Sequence, residues 1–331
     1  MNMKRISAIL LFAVVFYIIG ELDCRFFSHE KQMEYAVDDE LYFRTQPNQT
    51  AYEWMGQLSF KSPPIHLNSL GLRNPEIDLS NKSKYRILAT GSSLTFGSGV
   101  KDSEVWSEVL QNKLNDSYKT AKYEVLNGAN PGWGPFQYSI LLKRLTPVLR
   151  PDLILAIYTP ADVRYLPIQD KGKETKYLRD AKIRKKMISL SPFVTYCYRK
   201  LDLYITRFKY ALRGRKSSSA QEDSVETIAP FSEKQVRYFK KIGELAKTNK
   251  IPVMIAVCAL DKPQQGKFLY ESLLDLKKTN PFFHCSYLGP EIFGEKKFEQ
   301  MIIPRDGHLN KEGNSMLAEA VFECLNNFIE K

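Results

Sequence analysis

From Tyr85 onward the chain alternates short apolar runs with longer stretches whose apolar residues recur every three or four positions. The runs are Arg86 to Thr90, Tyr123 to Asn127, Asp152 to Tyr158, Pro252 to Leu260 and His284 to Leu288, and their length and composition predict strands. The third is almost wholly apolar, as expected of a strand covered on both faces. Between the first two, Ser103 to Asn115 puts Val105, Trp106, Val109, Leu110 and Leu114 at helical spacing. Pro135 opens a second predicted helix through Leu149, and Ser232 is expected to cap a third reaching Lys247. Gly266 to Lys278 reads as a fourth, and Asn310 caps a closing helix from Lys311 to Ile329. Strands separated by helices imply an α/β domain whose parallel sheet carries helices on both faces.

Upstream of this alternation the pattern changes twice. Lys4 and Arg5 precede Ile6 to Ile19, which has 14 residues and no charge; residues 1–24 therefore read as a signal anchor or a signal peptide. Gly20-Glu21-Leu22-Asp23-Cys24 offers no small-x-small cleavage site and a poor acylation box. The expectation is an uncleaved membrane anchor, with Lys4 and Arg5 cytoplasmic and the rest on the periplasmic or other extracytoplasmic side. Secretion after cleavage is the alternative. Residues 25–84 are polar, rich in aromatics and turn formers, and read as an irregular lead-in with room for short edge strands; residues 85–331 are the α/β domain, interrupted at about 164–227 by a basic insertion.

Composition is ordinary for a globular chain, with 44% hydrophobic residues. The net charge of +11 would suggest nucleic acid if it were spread over the surface, but residues 164–216 hold 16 Lys and Arg against 4 Asp and Glu, which leaves the remaining chain at −1. A local basic block beside a membrane anchor suits anionic lipid or a solvated face, and with no nucleic-acid motif present no nucleic-acid partner is expected. Inside the block, over about 192–213, Val194, Tyr198, Leu201, Ile205, Phe208 and Leu212 form one apolar stripe. The stripe either packs on the body of the domain or lies on the membrane. Gly214 to Glu226 reads as a flexible linker. The five cysteines have no CxxC spacing, which suits neither a zinc site nor a disulfide framework. Cys258, inside an apolar run, reads as a small buried hydrophobe.

Chemistry concentrates after the first strand. Gly91-Ser92-Ser93-Leu94-Thr95-Phe96-Gly97 puts a serine hydroxyl on a strand-to-helix turn at the carboxyl edge of the sheet, so Ser93 is the candidate nucleophile. A serine needs a base, and the base needs an orienting group. Of the four histidines, His308 alone has an acid beside it in a loop entering a capped helix: Pro304-Arg305-Asp306-Gly307-His308-Leu309-Asn310. Two residues apart in an extended loop, Asp306 and His308 can point the same way. Backbone donors for an oxyanion are offered by Asn127-Gly128-Ala129-Asn130-Pro131-Gly132-Trp133-Gly134 after the second strand.

Together these pieces resemble the SGNH or GDSL hydrolase family. Gly91 to Val100 looks like its first block, G-D-S-x-T-x-G, with Ser93 as nucleophile; Gly132 falls at the oxyanion glycine of the second; and Asp306, Gly307, His308 and Asn310 look like the last block, D-x-x-H-x-N, with one residue missing. Asn68-Ser69-x-Gly71-x-Arg73 is similar to a lead-in that buttresses the site in a bacterial, membrane-anchored branch. The resemblance implies a three-layer α/β/α sandwich around a flavodoxin-like five-stranded parallel sheet. It also implies a serine esterase or acyltransferase without cofactor or metal, acting on small acyl esters or on envelope glycans and lipids. Ser93, His308 and Asp306 would form the triad, and the Ser93 and Gly132 amides the oxyanion hole. Two further departures stand out: Ser92 replaces the usual Asp, and the third block, G-x-N-D, reads Thr159-Pro160-Ala161-Asp162, with Ala161 at the oxyanion asparagine and Thr159 as a substitute donor. A degenerate domain that binds a glycan or lipid, or serves as a scaffold, without turning it over is the competing expectation.

Overall fold

The computed structural model describes residues 3–26, 32–55, 60–165, 225–304 and 306–329, with isolated positions between 191 and 205. The chain divides into two compact units, residues 33–172 with 220–331, and residues 1–32 with 173–219.

The larger unit is built on five parallel strands, β7 (Tyr85–Thr90), β8 (Tyr123–Asn127), β9 (Leu153–Tyr158), β10 (Val253–Cys258) and β11 (Phe283–Leu288), in the order β11-β10-β9-β7-β8. Alternation along each strand separates two cores. Ile87, Ala89, Val125, Leu155, Ile157 and Ala256 face the helices α3 (Trp106–Ser117) and α7 (Lys311–Ile329), meeting Trp106, Leu110, Leu114, Leu317, Val321 and Leu325. Leu88, Leu126, Ile154, Ala156, Tyr158 and Ile255 face α4 (Pro135–Leu149), α5 (Val225–Asn249) and α6 (Pro263–Thr279), meeting Tyr138, Leu142, Phe239, Ile242 and Leu273. Every residue of β9 and β10 is buried, and each fully buried Leu or Ile there contributes roughly 1.5–3 kcal/mol. The parallel sheet covered on both faces is the one the alternation implied, and the three-layer, flavodoxin-like arrangement is the one the resemblance implied. Because β8 and β9 flank β7 on opposite sides, the crossovers after β7 and β9 run to opposite faces and leave a crevice at the carboxyl ends of those strands.

The lead-in carries short strands of the kind its sequence had room for. It forms three short antiparallel pairs: β1 (Tyr35–Asp38) with β2 (Tyr42–Thr45), β3 (Gln49–Ala51) with β6 (Ile65–Leu67), and β4 (Trp54–Met55) with β5 (Phe60–Lys61). Its apolar side chains join the body: Leu41, Phe43 and Leu72 enter the core over α4, while Met33, Ala51, Ile65 and Leu67 close over Phe96 and Ala129. The third long helix also departs from expectation. It begins at Val225, inside the stretch read as linker, and runs through Pro230 and past Ser232, which is therefore not its cap. The remainder of that linker, 214–224, and Tyr198, Phe208 and Leu212 of the apolar stripe lie outside the described residues.

In the smaller unit α1 (Met3–Phe26) is a single helix of 24 residues with Ile9 to Ile19 largely exposed, including Phe12 at 73%. Among the described residues no helix is long and apolar enough to cross a membrane. Phe193 of the insertion packs edge-on against Phe16 and Tyr17, and Glu21 accepts hydrogen bonds from the Ser191 hydroxyl (2.7 Å) and the Phe193 N–H (3.2 Å). Of the stripe, Val194, Leu201 and Ile205 are exposed.

Candidate active site

The turn that carries Ser93 is shaped by glycine at two points. A Cβ on Gly91 would lie 1.9 Å from Thr95 Oγ1 and 2.8 Å from the Ile157 carbonyl, so only glycine lets β7 turn against β9. Ser92 is extended, Ser93 to Phe96 form a single helical turn α2 (Ser93–Phe96), and Gly97 ends it at φ 79°, in the left-handed region that favours glycine. A four-residue helix cannot satisfy its own carbonyls, and distant side chains do so instead. Thr95 O accepts from Trp106 Nε1 (2.7 Å) and Asn127 Nδ2 (2.9 Å). Arg73, buried at 5% exposure, donates to the carbonyls of Phe96 (3.2 Å), Gly97 (2.6 Å) and Val100 (2.6 Å), with its Nε on Asp102 at 2.8 Å. Asn68 holds the turn before Arg73 by accepting from the N–H groups of Leu70 and Leu72, each at 3.0 Å. Asn68 and Arg73 thus touch the nucleophile's loop and not the reacting groups.

The loop after Met301 brings the base to the serine. Ile302 bridges Leu309, the Ile303 N–H donates to the His308 carbonyl (2.8 Å), and Gly307 turns at φ 94°. That left-handed glycine folds Asp306 back along the loop, so its Oδ1 lies 2.5 Å from His308 Nδ1 and also accepts the His308 N–H at 3.2 Å. His308 Nε2 is 2.7 Å from Ser93 Oγ. A carboxylate on Nδ1 requires the proton on that nitrogen, which turns the Nε2 lone pair toward the serine hydroxyl. Burial pushes the His308 pKa down, but the Asp306 bond and charge, with the more distant charge of Glu53, outweigh it and leave it raised. The shortened last block therefore assembles a complete Ser-His-Asp chain.

The oxyanion side is barer. Ser93 heads α2 and Gly132 turns at φ 83°; among the described residues neither N–H donates a hydrogen bond. The second-block loop is tied to the nucleophile's turn by Asn130 N–H to Gly91 O at 3.1 Å. Thr159 corrects an expectation. Its N–H and its hydroxyl both donate to Asp162, each at 2.9 Å, and a hydroxyl has one proton to give, so neither is left for an oxyanion. Asp162 is buried and also accepts from the Tyr138 hydroxyl at 2.9 Å. Burial lifts its pKa to about 6 against the lowering effect of bonds from Ser92, Thr159 and Tyr138. Ser92 is thereby a partner of Asp162. Ala161, half-exposed beside it, brings no side-chain donor.

Sequence reasoning missed Asp102 and Tyr138. Neither belongs to a motif; Asp102 meets the nucleophile's turn through Arg73, and Tyr138 meets Asp162 by its hydroxyl. Asp102 also joins Arg73 to His66, whose Nδ1 lies 2.5 Å from Asp102 Oδ2 and whose side chain is 64% exposed.

No family model and no curated protein matches the chain. Among solved structures, it is similar to the psychrotrophic esterase EstA of Pseudoalteromonas sp., at 12% identity and a TM-score of 0.47 over 75% of this chain and 100% of that one. It is similar also to an acetyl xylan esterase (12% identity, TM-score 0.43, 72% of this chain and 99% of that one). A third is a member of the lipolytic G-D-S-L family from Veillonella parvula (12%, 0.41, 73% and 98%).

Proposed function

We propose that this chain is a serine esterase or acyltransferase that works through Ser93, His308 and Asp306. The observation that carries this reading is the continuous chain of contacts from Asp306 Oδ1 through His308 to Ser93 Oγ, at 2.5 and 2.7 Å. In this mechanism Ser93 Oγ attacks the carbonyl carbon of an acyl ester while its proton passes to His308 Nε2, and Asp306 stabilises the imidazolium. The oxyanion takes hydrogen bonds from the Ser93 and Gly132 amides. Collapse expels the alcohol, which receives the proton from His308, and water or an acceptor hydroxyl then releases the acyl group by the same steps in reverse. The substrates in this proposal are acyl, including O-acetyl, esters on envelope glycans or lipids.

The same proposal places the α/β domain outside the cytoplasm, held to the membrane by α1 and by the exposed face of the insertion. Support comes from the run of exposed apolar side chains between Ile9 and Ile19 and from the local surplus of Lys and Arg in 164–216. Fourteen uncharged residues give about 21 Å of helix against a hydrocarbon core of about 30 Å, so the bilayer would thin or α1 would carry its flanks inward. Protease protection on intact cells tests the topology; a carboxyl terminus digested only after lysis of the cytoplasm overturns it.

A binding protein without turnover is the second reading, favoured by Ala161 and by the commitment of both Thr159 donors to Asp162. The purified full chain in detergent, treated with a serine-reactive fluorophosphonate and with p-nitrophenyl acetate, separates the two. Labelling and hydrolysis that vanish in Ser93→Ala are the expected result. No labelling and no hydrolysis selects the binder, and activity that survives Ser93→Ala overturns the triad reading.

A further inference from the structure

The direction of the Gly132 amide is decided by the form of the turn that carries it. Asn130 to Trp133 close a four-residue turn, with the Trp133 N–H on the Asn130 carbonyl at 3.2 Å, Pro131 second and Gly132 third at φ 83°. Those are the features of a type II turn. In a type I turn the third residue takes φ of about −90° and the central peptide, here Pro131–Gly132, is flipped, so that its N–H faces the other way. The Gly132 donor is therefore in place only while the turn keeps its present form.

Both ends of this turn are anchored on one strand of the lead-in. Trp133 is buried and donates its indole N–H to the Phe43 carbonyl of β2 at 2.9 Å. Asn130 is buried as well, and with its amide oxygen toward β2 it accepts the Thr45 N–H at 2.7 Å, two residues further along that strand. The Asn130 N–H reaches the Gly91 carbonyl at 3.1 Å, which registers the turn against the nucleophile two residues on. β2 is tied to the same region from its other side, since Thr45 Oγ1 donates to the Gly71 carbonyl at 2.8 Å, in the turn that presents Arg73. A buried indole N–H finds an acceptor in any core. What is particular here is that two side chains of one turn reach the same strand, and that the amide between them donates to nothing among the described residues.

We propose that Trp133 and Asn130 are positioning residues for the oxyanion amide of Gly132, and that β2 of the lead-in is the strand on which they hold it. Ala161 leaves the proposed hole with two amides, so the aim of each carries more of the stabilisation than it would among three donors. The inference rests on the triad reading for its catalytic meaning, but the state of the turn is readable without turnover.

Pro131–Gly132 is the one Pro-Gly step in the sequence. Proline labelled at its carbonyl carbon together with nitrogen-labelled glycine therefore gives a single Gly132 amide correlation by NMR of the full-length chain in detergent. One sharp correlation is expected in the parent. Trp133→Phe keeps an aromatic ring and loses the N–H, and Asn130→Ala loses the bond from Thr45; in each the correlation should broaden or split as the central peptide flips. In the same variants kcat for p-nitrophenyl acetate should fall about 10- to 100-fold with KM within about twofold of the parent's. The acidic limb of kcat/KM should stay in place, because the contacts of His308 with Asp306 and Ser93 are untouched. A limb that moves would put the effect on the base and overturn the proposal. So would a folded Trp133→Phe protein with a correlation as sharp as the parent's, or with the parent's kcat, whatever its melting temperature. If Trp133→Phe does not fold, Asn130→Ala decides by the same outcomes. Should the parent hydrolyse no ester, the triad reading fails by itself, while the Gly132 correlation still decides whether these two anchors hold the turn.

Discussion

The loops at 303–309 and 159–162 both depart from the pattern the chain resembles, with opposite consequences. The first has lost a residue, yet its Asp, His and Ser line up at 2.5 and 2.7 Å. The second keeps its length but lacks the asparagine, which leaves the proposed oxyanion hole with two backbone amides. A missing residue is made good by backbone, because Gly307 at φ 94° folds Asp306 onto the imidazole. A missing side-chain donor is not, because the nearest candidates, the N–H and hydroxyl of Thr159, are held by Asp162. Connectivity can be re-routed through a left-handed turn, whereas a donor already spent on a buried carboxylate cannot be aimed elsewhere.

The largest expected effects test the intact side of this contrast. Ser93→Ala should lower ester hydrolysis by at least ~1000-fold, and a smaller loss breaks the triad reading outright. Asp306→Asn should cost about 100- to 10,000-fold in kcat by releasing the tautomer of His308. A wild-type rate in that variant would mean that the 2.5 Å contact does not orient the base. The impoverished side is sharpened by Ala161→Asn. One oxyanion donor is worth about 100- to 1000-fold where it is well placed, and an introduced side chain should recover part of that, about tenfold or more in kcat. An unchanged rate would mean that Asp162 captures the new amide as it captures Thr159, or that the hole is already complete. Smaller again is Gly307→Ala. Among the described residues no atom lies within 4 Å of the position a Cβ would take there, so the cost is backbone strain, about 1–2 kcal/mol, read as a fall of roughly tenfold in kcat with little loss of melting temperature. Full activity would show that the left-handed turn is not what brings Asp306 to the ring.

How much of this could be read from the chain follows the range of the interactions. The parallel sheet with helices on both faces was legible because the short apolar runs Tyr85 to Thr90 and Leu153 to Tyr158, separated by stretches of helical spacing, are local patterns with one good solution. Ser93, His308 and Asp306 were legible because a strand-to-helix turn and an Asp-x-His loop leave signals within a few residues. The start of α5 was not, since Pro230 and Ser232 together look like a boundary and the helix runs through both. Asp162 was opaque as an acting group for another reason. It was read as part of a block, but its donors come from Ser92, from Thr159 and from Tyr138, 24 residues away, and only the folded chain shows that both Thr159 donors turn to it.

The last comparison asks what the second loop gains by spending its donors inward, and it is read in stability. Burial raises the pKa of Asp162 from 3.8 to about 6. The unfolded chain then loses this proton at lower pH than the folded one, so the contribution of the protonated group is fully present below about 3.8 and is lost as pH rises through about 6. Two pKa units correspond to about 3 kcal/mol at most. Denaturant unfolding of the full chain between those two pH values should therefore show Asp162→Asn with a flatter profile than the parent, the curves converging at the acidic end or crossing there. Parallel curves would mean that the bonds from Thr159, Tyr138 and Ser92 already cancel the burial. In that case the loop holds a fully ionised carboxylate at no cost, and the donors of Ser92, Thr159 and Tyr138 are the whole reason it can.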